Sequence, residues 1–384
     1  MLWVLQVQIV VEVKSMKFKY SFLLLFIACS EVKTSEQVLD VMISPKFEIQ
    51  IGESGNTSQL DYVSSILNDS SFLILNKFLR SIDTVRVGTG SGKISIGNPI
   101  PFEGPNGIEI INSFQEYKGE LAFIDNSTIY LPGSDEVNRL KINEFNSSQL
   151  EGLLSVVNAN SQNKVVSSLN KKDNLGYFFL LDIITRKLKL SVLDFDKKEI
   201  NLLDFNISEK LDNHIISNQV KRAAITNPYY PNLFLTDDKL IVSYPFVNQI
   251  QIYLLKTGET VSKFPKTNLF KVEKDLPEQI LTEISFKEYS KISGDWQDDV
   301  LFGPIMSLGD TKYFRFIRGE LEVEGGLIYI ELFNKQFEKL GEVNLSAIQP
   351  DLGMYYMPIG NRIFVKAKSQ ANEDILEYYL INLD

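Results

Sequence analysis

The stretch LIVSYPFVNQIQIYLLKTGE, residues 240–259, decides the fold of this chain. It contains two strand-like runs, Leu240–Tyr244 and Gln249–Leu255, joined by a short turn at Pro245–Asn248. Alternation of side chains with a period of two is typical of a β-strand with one buried face, and the aromatic and β-branched residues here favour strands. The stretch therefore predicts two neighbouring strands of an antiparallel sheet.

This pattern of paired strands recurs along the chain. Related pairs begin at Phe72, Ser127, Tyr177, Leu327 and Arg362. Their spacing, roughly 50 to 77 residues, is that of one four-stranded propeller blade with its loops. We therefore predict an all-β chain folded as a single six-bladed β-propeller over residues 38–384. A seventh blade and a pair of β-sandwiches are the alternatives.

The widest gap, between about positions 253 and 330, is interpreted as one blade with an insertion, because it is too short for two blades. The sequence predicts no long helix, and Glu278–Phe286 is its best short helical candidate. The final strand, Leu376–Leu383, is predicted to pair with Lys46–Ile51 near the other end of the chain. Such pairing would leave no open sheet edge there.

The N-terminal region resembles an export signal. MKFKYS, residues 16–21, carries two lysines and is followed by the apolar run FLLLFIA and then by Cys29. The run has about half the length needed to span a bilayer. We expect translation to start at Met16, residues 1–28 to be a signal peptide, Cys29 to be lipidated, and residues 29–37 to form a tether. This places the protein in the cell envelope on the extracytoplasmic side, with the outer membrane as the expected anchor site.

Composition narrows the classes of function. The net charge of −10 opposes contact with nucleic-acid phosphates, so no nucleic-acid partner is expected. The chain has one cysteine and one histidine, which excludes multi-histidine zinc sites. With Cys29 lipidated, no thiol is left for a disulfide or a nucleophile. We therefore expect no metal, no cofactor and no catalytic residue.

Several of these features together resemble a known family. They are the lipidation signal ending in Cys29, the segment Phe102–Gly107 (FEGPNG), the segment Tyr313–Phe316 (YFRF) and the pattern of the terminal strands. In these features the chain is similar to the six-bladed β-propeller lipoproteins of Bacteroidota, a family defined as a domain of unknown function. The resemblance implies the propeller fold and a membrane anchor, and it brings no established activity.

Candidate ligand or channel residues come from aromatic and charged side chains. Flat aromatic faces beside polar groups bind sugars and peptides, which draws attention to Tyr244, Trp296 and Tyr313. Arg315 stands alone in an apolar strand, so it must pair with an acid, snorkel, or face a channel. Packing between blades is the alternative for the aromatic residues.

The sequence therefore predicts a lipid-anchored, non-catalytic binding or scaffold protein. Its expected partners are the membrane, through the anchor, and an unidentified glycan, peptide or envelope protein. The alternative is a hydrolase or lyase that acts on a glycan with carboxylates in a central channel.

The anchor gives a direct prediction. Replacing Cys29 with Ser removes the thiol that would carry the lipid, so the variant should leave the membrane fraction or accumulate as an uncut precursor. Cell fractionation and intact mass measure this. An unchanged distribution, with no acyl mass on the wild-type protein, would contradict the anchor.

Overall fold

The chain is built mostly from β-strands, with little helix, which confirms the all-β prediction. The computed structural model describes residues 39–383 except 53–54, 56–59, 69, 89, 147–153, 157–166, 171, 183–186, 209, 221–222, 229, 277–279, 283, 321–325 and 371. These residues belong to one compact unit, Glu36–Asp384. The predicted signal peptide, Cys29 and the tether lie outside the described residues.

The described strands form sheets of nine, four, five, three, four and five strands. For the description, the nine-stranded sheet is divided into unit 1 and unit 6, and the four- and five-stranded sheets are called units 2 to 5. The chain first forms β1 (Val41–Ile43) and β2 (Phe47–Gln50). Unit 1 contains β3 (Leu60–Asn68), β4 (Ser71–Asn76), β5 (Ser81–Val87) and β6 (Ser91–Ser95). Unit 2 contains β7 (Ser113–Tyr117), β8 (Glu120–Ile124), β9 (Thr128–Leu131) and β10 (Asn138–Lys141).

Unit 3 has two short strands in series at its first position, because β11 and β12 both pair with β13. It contains β11 (Leu154–Val156), β12 (Ser167–Asn170), β13 (Leu175–Asp182), β14 (Leu188–Asp194) and β15 (Glu199–Leu202). The chain then forms helix α1 (Lys210–Asn213) and the hairpin of β16 (Ile215–Val220) and β17 (Ala223–Pro228). Unit 4 contains β18 (Asn232–Leu235), β19 (Lys239–Tyr244), β20 (Val247–Leu254) and β21 (Thr260–Lys263).

An insertion over residues 264–300 separates units 4 and 5, as the spacing predicted. It carries β22 (Ile280–Thr282), which pairs in parallel with β16, and helix α2 (Phe286–Gln297). The helical prediction at Glu278–Phe286 was wrong, because the helix begins where that segment ends. Ser285 caps α2 by accepting a hydrogen bond from the backbone N–H of Glu288, and Ser285-x-x-Glu288 is a capping signal. The sequence analysis missed both this signal and the β16–β17 hairpin.

Units 5 and 6 complete the chain. Unit 5 contains β23 (Leu301–Phe302), β24 (Met306–Leu308), β25 (Lys312–Arg318), β26 (Ile328–Phe333) and β27 (Lys339–Asn344), with β23 and β24 both paired to β25. Unit 6 contains β28 (Leu352–Ile359), β29 (Arg362–Ala367) and β30 (Ile375–Leu383), and its fourth strand is β2. No helix among the described residues is long and apolar enough to cross a bilayer.

The two ends of the described chain pair with each other, as predicted. Strand β2 runs antiparallel to β30, with Phe47 opposite Tyr378 and Gln50 opposite Ile375. Its other edge pairs in parallel with β6 of unit 1. Strand β1 also pairs with β30. The N-terminal strands therefore join the last unit to the first.

Apolar side chains fill the spaces between consecutive units, and five clusters join unit 1 to 2, 2 to 3, 3 to 4, 4 to 5 and 5 to 6. Ile49 of β2 belongs to a sixth cluster, in which Phe72 and Val85 of unit 1 lie with Phe364 and Tyr378 of unit 6. Every unit thus buries apolar surface against two neighbours.

The two faces of β2 yield a prediction for stability. Ile49 is fully buried, whereas the adjacent Glu48 is exposed. Ile49→Ala should lower the free energy of unfolding by about 2–5 kcal/mol, because it leaves a cavity in the cluster between units 6 and 1. Glu48→Ala on the same strand should change it by less than about 0.5 kcal/mol. Denaturant titration measures both, and equal effects would show that β2 is not packed as described.

Candidate functional site

A cleft of about 640 Å³ lies beside the loop that connects units 1 and 2. The loop contributes Phe102, Glu103, Gly104, Gly107 and Glu109 to its lining. Strands β9 and β10 and the turns beside them contribute Asp125, Ser127, Thr128, Tyr130, Arg139, Lys141, Asn143 and Glu144. The lining therefore includes four residues of the FEGPNG segment, which the sequence analysis had used only as a mark of the family.

Two arginines fix this loop by donating hydrogen bonds to its backbone carbonyls. Arg80, in the turn between β4 and β5, donates from Nε to the carbonyl of Ile100 at 3.2 Å and also contacts the carbonyls of Ile108 and Glu109. Arg139 of β10 donates from Nη2 to the carbonyls of Gly104 and Gly107, at 2.5 and 2.9 Å. A segment without regular secondary structure is thus held by both neighbouring units.

Close backbone contact inside the loop requires glycine at position 107. A Cβ atom built there would lie 2.5 Å from the carbonyl carbon of Glu103, well inside van der Waals contact. The N–H of Gly107 also donates to the carbonyl of Gly104 at 3.0 Å, which closes a tight turn. Phe102 and Glu103, which line the cleft, directly precede this turn.

Phe102 is the exposed aromatic residue of the cleft, with 55% of its surface accessible. The guanidinium of Arg80 lies over its ring, with the carbon Cζ 5.1 Å from the ring centroid. Such a cation–π contact restrains the ring without burying it. The cleft therefore presents a positioned aromatic surface to solvent.

Asp125 holds the turn between β8 and β9, which also lines the cleft. Its Oδ1 accepts hydrogen bonds from the backbone N–H groups of Ser127 and Thr128, both at 2.6 Å, and Oδ2 accepts one from the hydroxyl of Tyr130 at 3.1 Å. Burial, followed by the negative charge of Asp125, raises the pKa of Tyr130 above its usual value. Because its oxygens are occupied by these donors, the Asp125 carboxylate is poorly placed to act as a general acid or base.

Arg315, the charged residue that the sequence singled out, lies between units 4 and 5 and is fully buried. Its Nε and Nη2 donate to Oε2 of Glu331 at 2.8 and 2.6 Å, and Glu331 is its cross-strand neighbour on β26. Nη2 also donates to Oδ1 of Asn248 on β20. The side chain lies over the rings of Phe302 and Phe333. Burial and these partners favour a structural ion pair over a ligand role.

The charged network continues toward the surface. Lys339 of β27 lies 3.3 Å from Oε1 of Glu331 and 2.6 Å from Oε2 of Glu342. Glu342 in turn accepts hydrogen bonds from the hydroxyl of Thr267 and the backbone N–H of Asn268, both in the insertion. Alternating charges therefore connect the interior of unit 5 to the insertion that follows unit 4.

Two of the predicted aromatic residues pack against other side chains. Tyr313 is half-buried and stacks on Phe337, with ring centroids 4.6 Å apart. Tyr244 is fully buried, and its hydroxyl donates to Gln251 and accepts from the backbone N–H of Ser208. Burial raises the pKa of the Tyr244 phenol. These two side chains pack where unit 4 meets its neighbours.

Trp296, the fourth predicted residue, belongs to a cluster around the insertion. Its indole N–H donates to the carbonyl of Asp275 at 2.9 Å. Lys274 is almost fully buried and donates to the carbonyls of Trp296 and Asp299 at 2.7 and 3.1 Å. Burial lowers the pKa of Lys274 to about 7. Since the ammonium group binds a carbonyl in the last turn of α2, it stabilises the end of that helix.

The single histidine, His214, is fully buried and stacks on Phe246, with ring centroids 4.4 Å apart. Its ring nitrogens face two backbone carbonyls, those of Lys210 and Lys274. The imidazole is therefore a packed side chain that is hydrogen-bonded to the backbone. Among the described residues no three His, Cys, Asp or Glu side chains converge as a metal site would require.

Comparison with known proteins defines the class of the chain. A family model described as a domain of unknown function (DUF4221) matches residues 96–344, which include the cleft loop and units 2 to 5. The chain belongs to this family. A comparison with curated proteins finds no significant match.

Solved structures extend the comparison to the fold. A crystal structure of a DUF4221 family member from Bacteroides vulgatus is 12% identical, covers 90% of this chain and 98% of that one, and has a TM-score of 0.65. The WD40 domain of a coronin from Toxoplasma gondii is 8% identical over 90% of this chain and 87% of that one, with a TM-score of 0.37. A putative TolB from Agrobacterium tumefaciens is 10% identical over 90% and 99%, with a TM-score of 0.36. The family member shares the fold of this chain, and the other two are similar to it at lower scores.

The buried ion pair generates a prediction. Arg315→Met removes the charge and keeps much of the volume, leaving Glu331 buried with less compensation. We expect a loss of about 3–5 kcal/mol in the free energy of unfolding. Arg86→Met, at an exposed arginine of β5, should change it by less than about 0.5 kcal/mol. Thermal and denaturant unfolding measure both variants, and an Arg315→Met protein of wild-type stability would contradict the structural role.

Proposed function

We propose that this chain is a lipid-anchored, six-bladed β-propeller of the cell envelope that binds a partner at the cleft beside Phe102. The observation that carries the proposal is the loop itself. Arg80 and Arg139 hold it through hydrogen bonds to five backbone carbonyls, and it presents a half-exposed aromatic ring in the lining of a 640 Å³ cleft. A rigid rim lowers the entropy lost when a ligand binds.

The blade count rests on the six units and the six apolar clusters between them. Each unit is four strands wide, as a propeller blade is. A cluster lies between each consecutive pair of units, and one lies between unit 6 and unit 1. On this proposal the small sheet of β16, β17 and β22 is an addition between blades rather than a seventh blade.

The envelope location rests on the sequence around Cys29. The charged start at Met16, the short apolar run and the small residue before the cysteine support export and lipidation. A lipid chain would tether the propeller to the membrane surface and leave its cleft open to partners. The outer membrane is the proposed site of the anchor.

Binding is favoured over hydrolysis by the state of the cleft carboxylates. Asp125 is occupied by its turn, and Glu144 lies 3.6 Å from the ammonium of Lys141. The other two carboxylates, Glu103 and Glu109, both belong to the loop and so line the same side of the cleft. A glycosidase needs two carboxyl groups placed on either side of a scissile bond. Formation of cleavage products from an envelope glycan would favour the enzyme alternative.

The test compares partner recovery by matched variants. Wild-type protein, Phe102→Ala and Phe264→Ala are cross-linked in intact envelopes, solubilised and purified under the same conditions. Phe264 is 63% exposed and lies outside the cleft, so it controls for the loss of a surface phenyl ring. We expect a partner that the wild type and Phe264→Ala recover equally and that Phe102→Ala recovers poorly. Equal recovery by all three proteins would overturn the cleft as the binding site.

A further inference from the structure

We infer that the ligand of the Phe102 cleft is a neutral oligosaccharide, an inference that rests on the proposed binding function. The lining offers hydrogen-bond donors and acceptors side by side. Arg139 and Lys141 can only donate through their side chains, whereas Glu103 and Glu109 accept when ionised. A sugar hydroxyl donates and accepts at once, so a ring of hydroxyls can satisfy both kinds of group.

The aromatic ring supplies the second element of sugar recognition. The apolar C–H face of a pyranose packs on a flat aromatic surface while its hydroxyls point to polar groups at the edge. Phe102 offers such a surface at the rim, restrained by Arg80 beside it. Because the loop backbone is already fixed, stacking would require little reorganisation.

Arg139 extends the site to a second cleft. It lines both the 640 Å³ cleft and a neighbouring cleft of about 680 Å³, which Gly133–Asn138 and Pro105 complete. Only its Nη2 is engaged, with the carbonyls of Gly104 and Gly107, so within the described part of the chain Nε and Nη1 have no hydrogen-bond partner. A ligand that crosses from one cleft to the other would meet these donors, which favours a chain of several sugars over a monosaccharide.

The negative charge of the first cleft disfavours acidic sugars. Glu103, Glu109, Asp125 and Glu144 outnumber the two basic side chains of the first cleft, and the whole chain carries a net charge of −10. A uronate or a phosphorylated sugar would be repelled on approach. The favoured ligand is therefore uncharged.

A peptide fits the lining less well. Peptide recognition uses pockets for apolar side chains or a long open strand edge. Among the described residues, Phe102 and Tyr130 are the only aromatic or aliphatic side chains that line the first cleft, and Tyr130 is buried in the apolar cluster between units 1 and 2. The nearby strand β10 is four residues long and carries Arg139 and Lys141, charges that discourage strand addition.

Calorimetry with defined sugars tests the inference. The full chain is titrated with neutral gluco-, manno- and xylo-hexaoses, with the matching monosaccharides and with a hexauronate. We expect at least one neutral hexaose to bind, more tightly than its monosaccharide and than the hexauronate. Phe102→Ala should weaken that binding about ten-fold, while Phe102→Trp preserves it and Phe264→Ala leaves it unchanged. Equal melting temperatures of the variants confirm that folding is not the cause.

Two results would overturn the inference. In the first, no neutral hexaose binds, although envelope cross-linking still depends on Phe102. This result would reject the sugar as the ligand and keep the cleft as the binding site. The other is sugar binding that Phe102→Ala does not weaken, which would place the sugar elsewhere. If partner recovery by envelope cross-linking also proves independent of Phe102, the proposed function itself is rejected.

Discussion

The rest of the structure depends on the pairing of strand β2 with β30. Strand β30 is the last strand of the described chain, and it has β29 on one side and β1 and β2 on the other. Because β2 also pairs with β6, the backbone of residues 47–50 holds the last unit against the first. Without it, unit 6 would expose an edge and the apolar cluster around Ile49 would open to water.

The six interfaces between units use the same apolar packing, and one of them also buries charge. Between units 4 and 5, Arg315, Glu331 and Asn248 form a hydrogen-bonded group. The side chains of Arg315 and Glu331 are fully buried. Buried ion pairs contribute little net stability relative to apolar packing, but they penalise any arrangement that separates the partners. We hypothesise that this group fixes the register of unit 5 on unit 4. A charge-free variant that packs normally in the same register would contradict this.

Much of the architecture could be predicted from the sequence because strand alternation is a local signal. The hairpins near Leu240, Tyr177 and Arg362 and the pairing of the chain ends were all visible in it. The α2 helix was misplaced because its polar sequence hides its period, although Ser285 and Glu288 marked its start. The hairpin of β16 and β17 escaped notice because its sequence lacks clear alternation.

The candidate site was harder to predict than the fold. The sequence analysis named Arg315, Tyr244 and Trp296 as candidates and kept ion pairing and packing as the alternatives. In the structure all three are buried side chains. The cleft instead depends on Arg80 of unit 1 and Arg139 of unit 2, which lie about 60 positions apart in the sequence. Both donate hydrogen bonds to the same loop. The signal for this cleft in the sequence was a loop-like segment in which Phe102 stands among glycine, proline and asparagine.

Native-state hydrogen exchange tests the central role of β2 most directly. Amides exchange through local openings or through global unfolding, and the free energy of each opening identifies which one applies. The account predicts that the amides of β2 and β30 exchange with the free energy of global unfolding, as those of β29 do. Exchange of the β2 amides through a much cheaper local opening, while β29 stays fully protected, would contradict it.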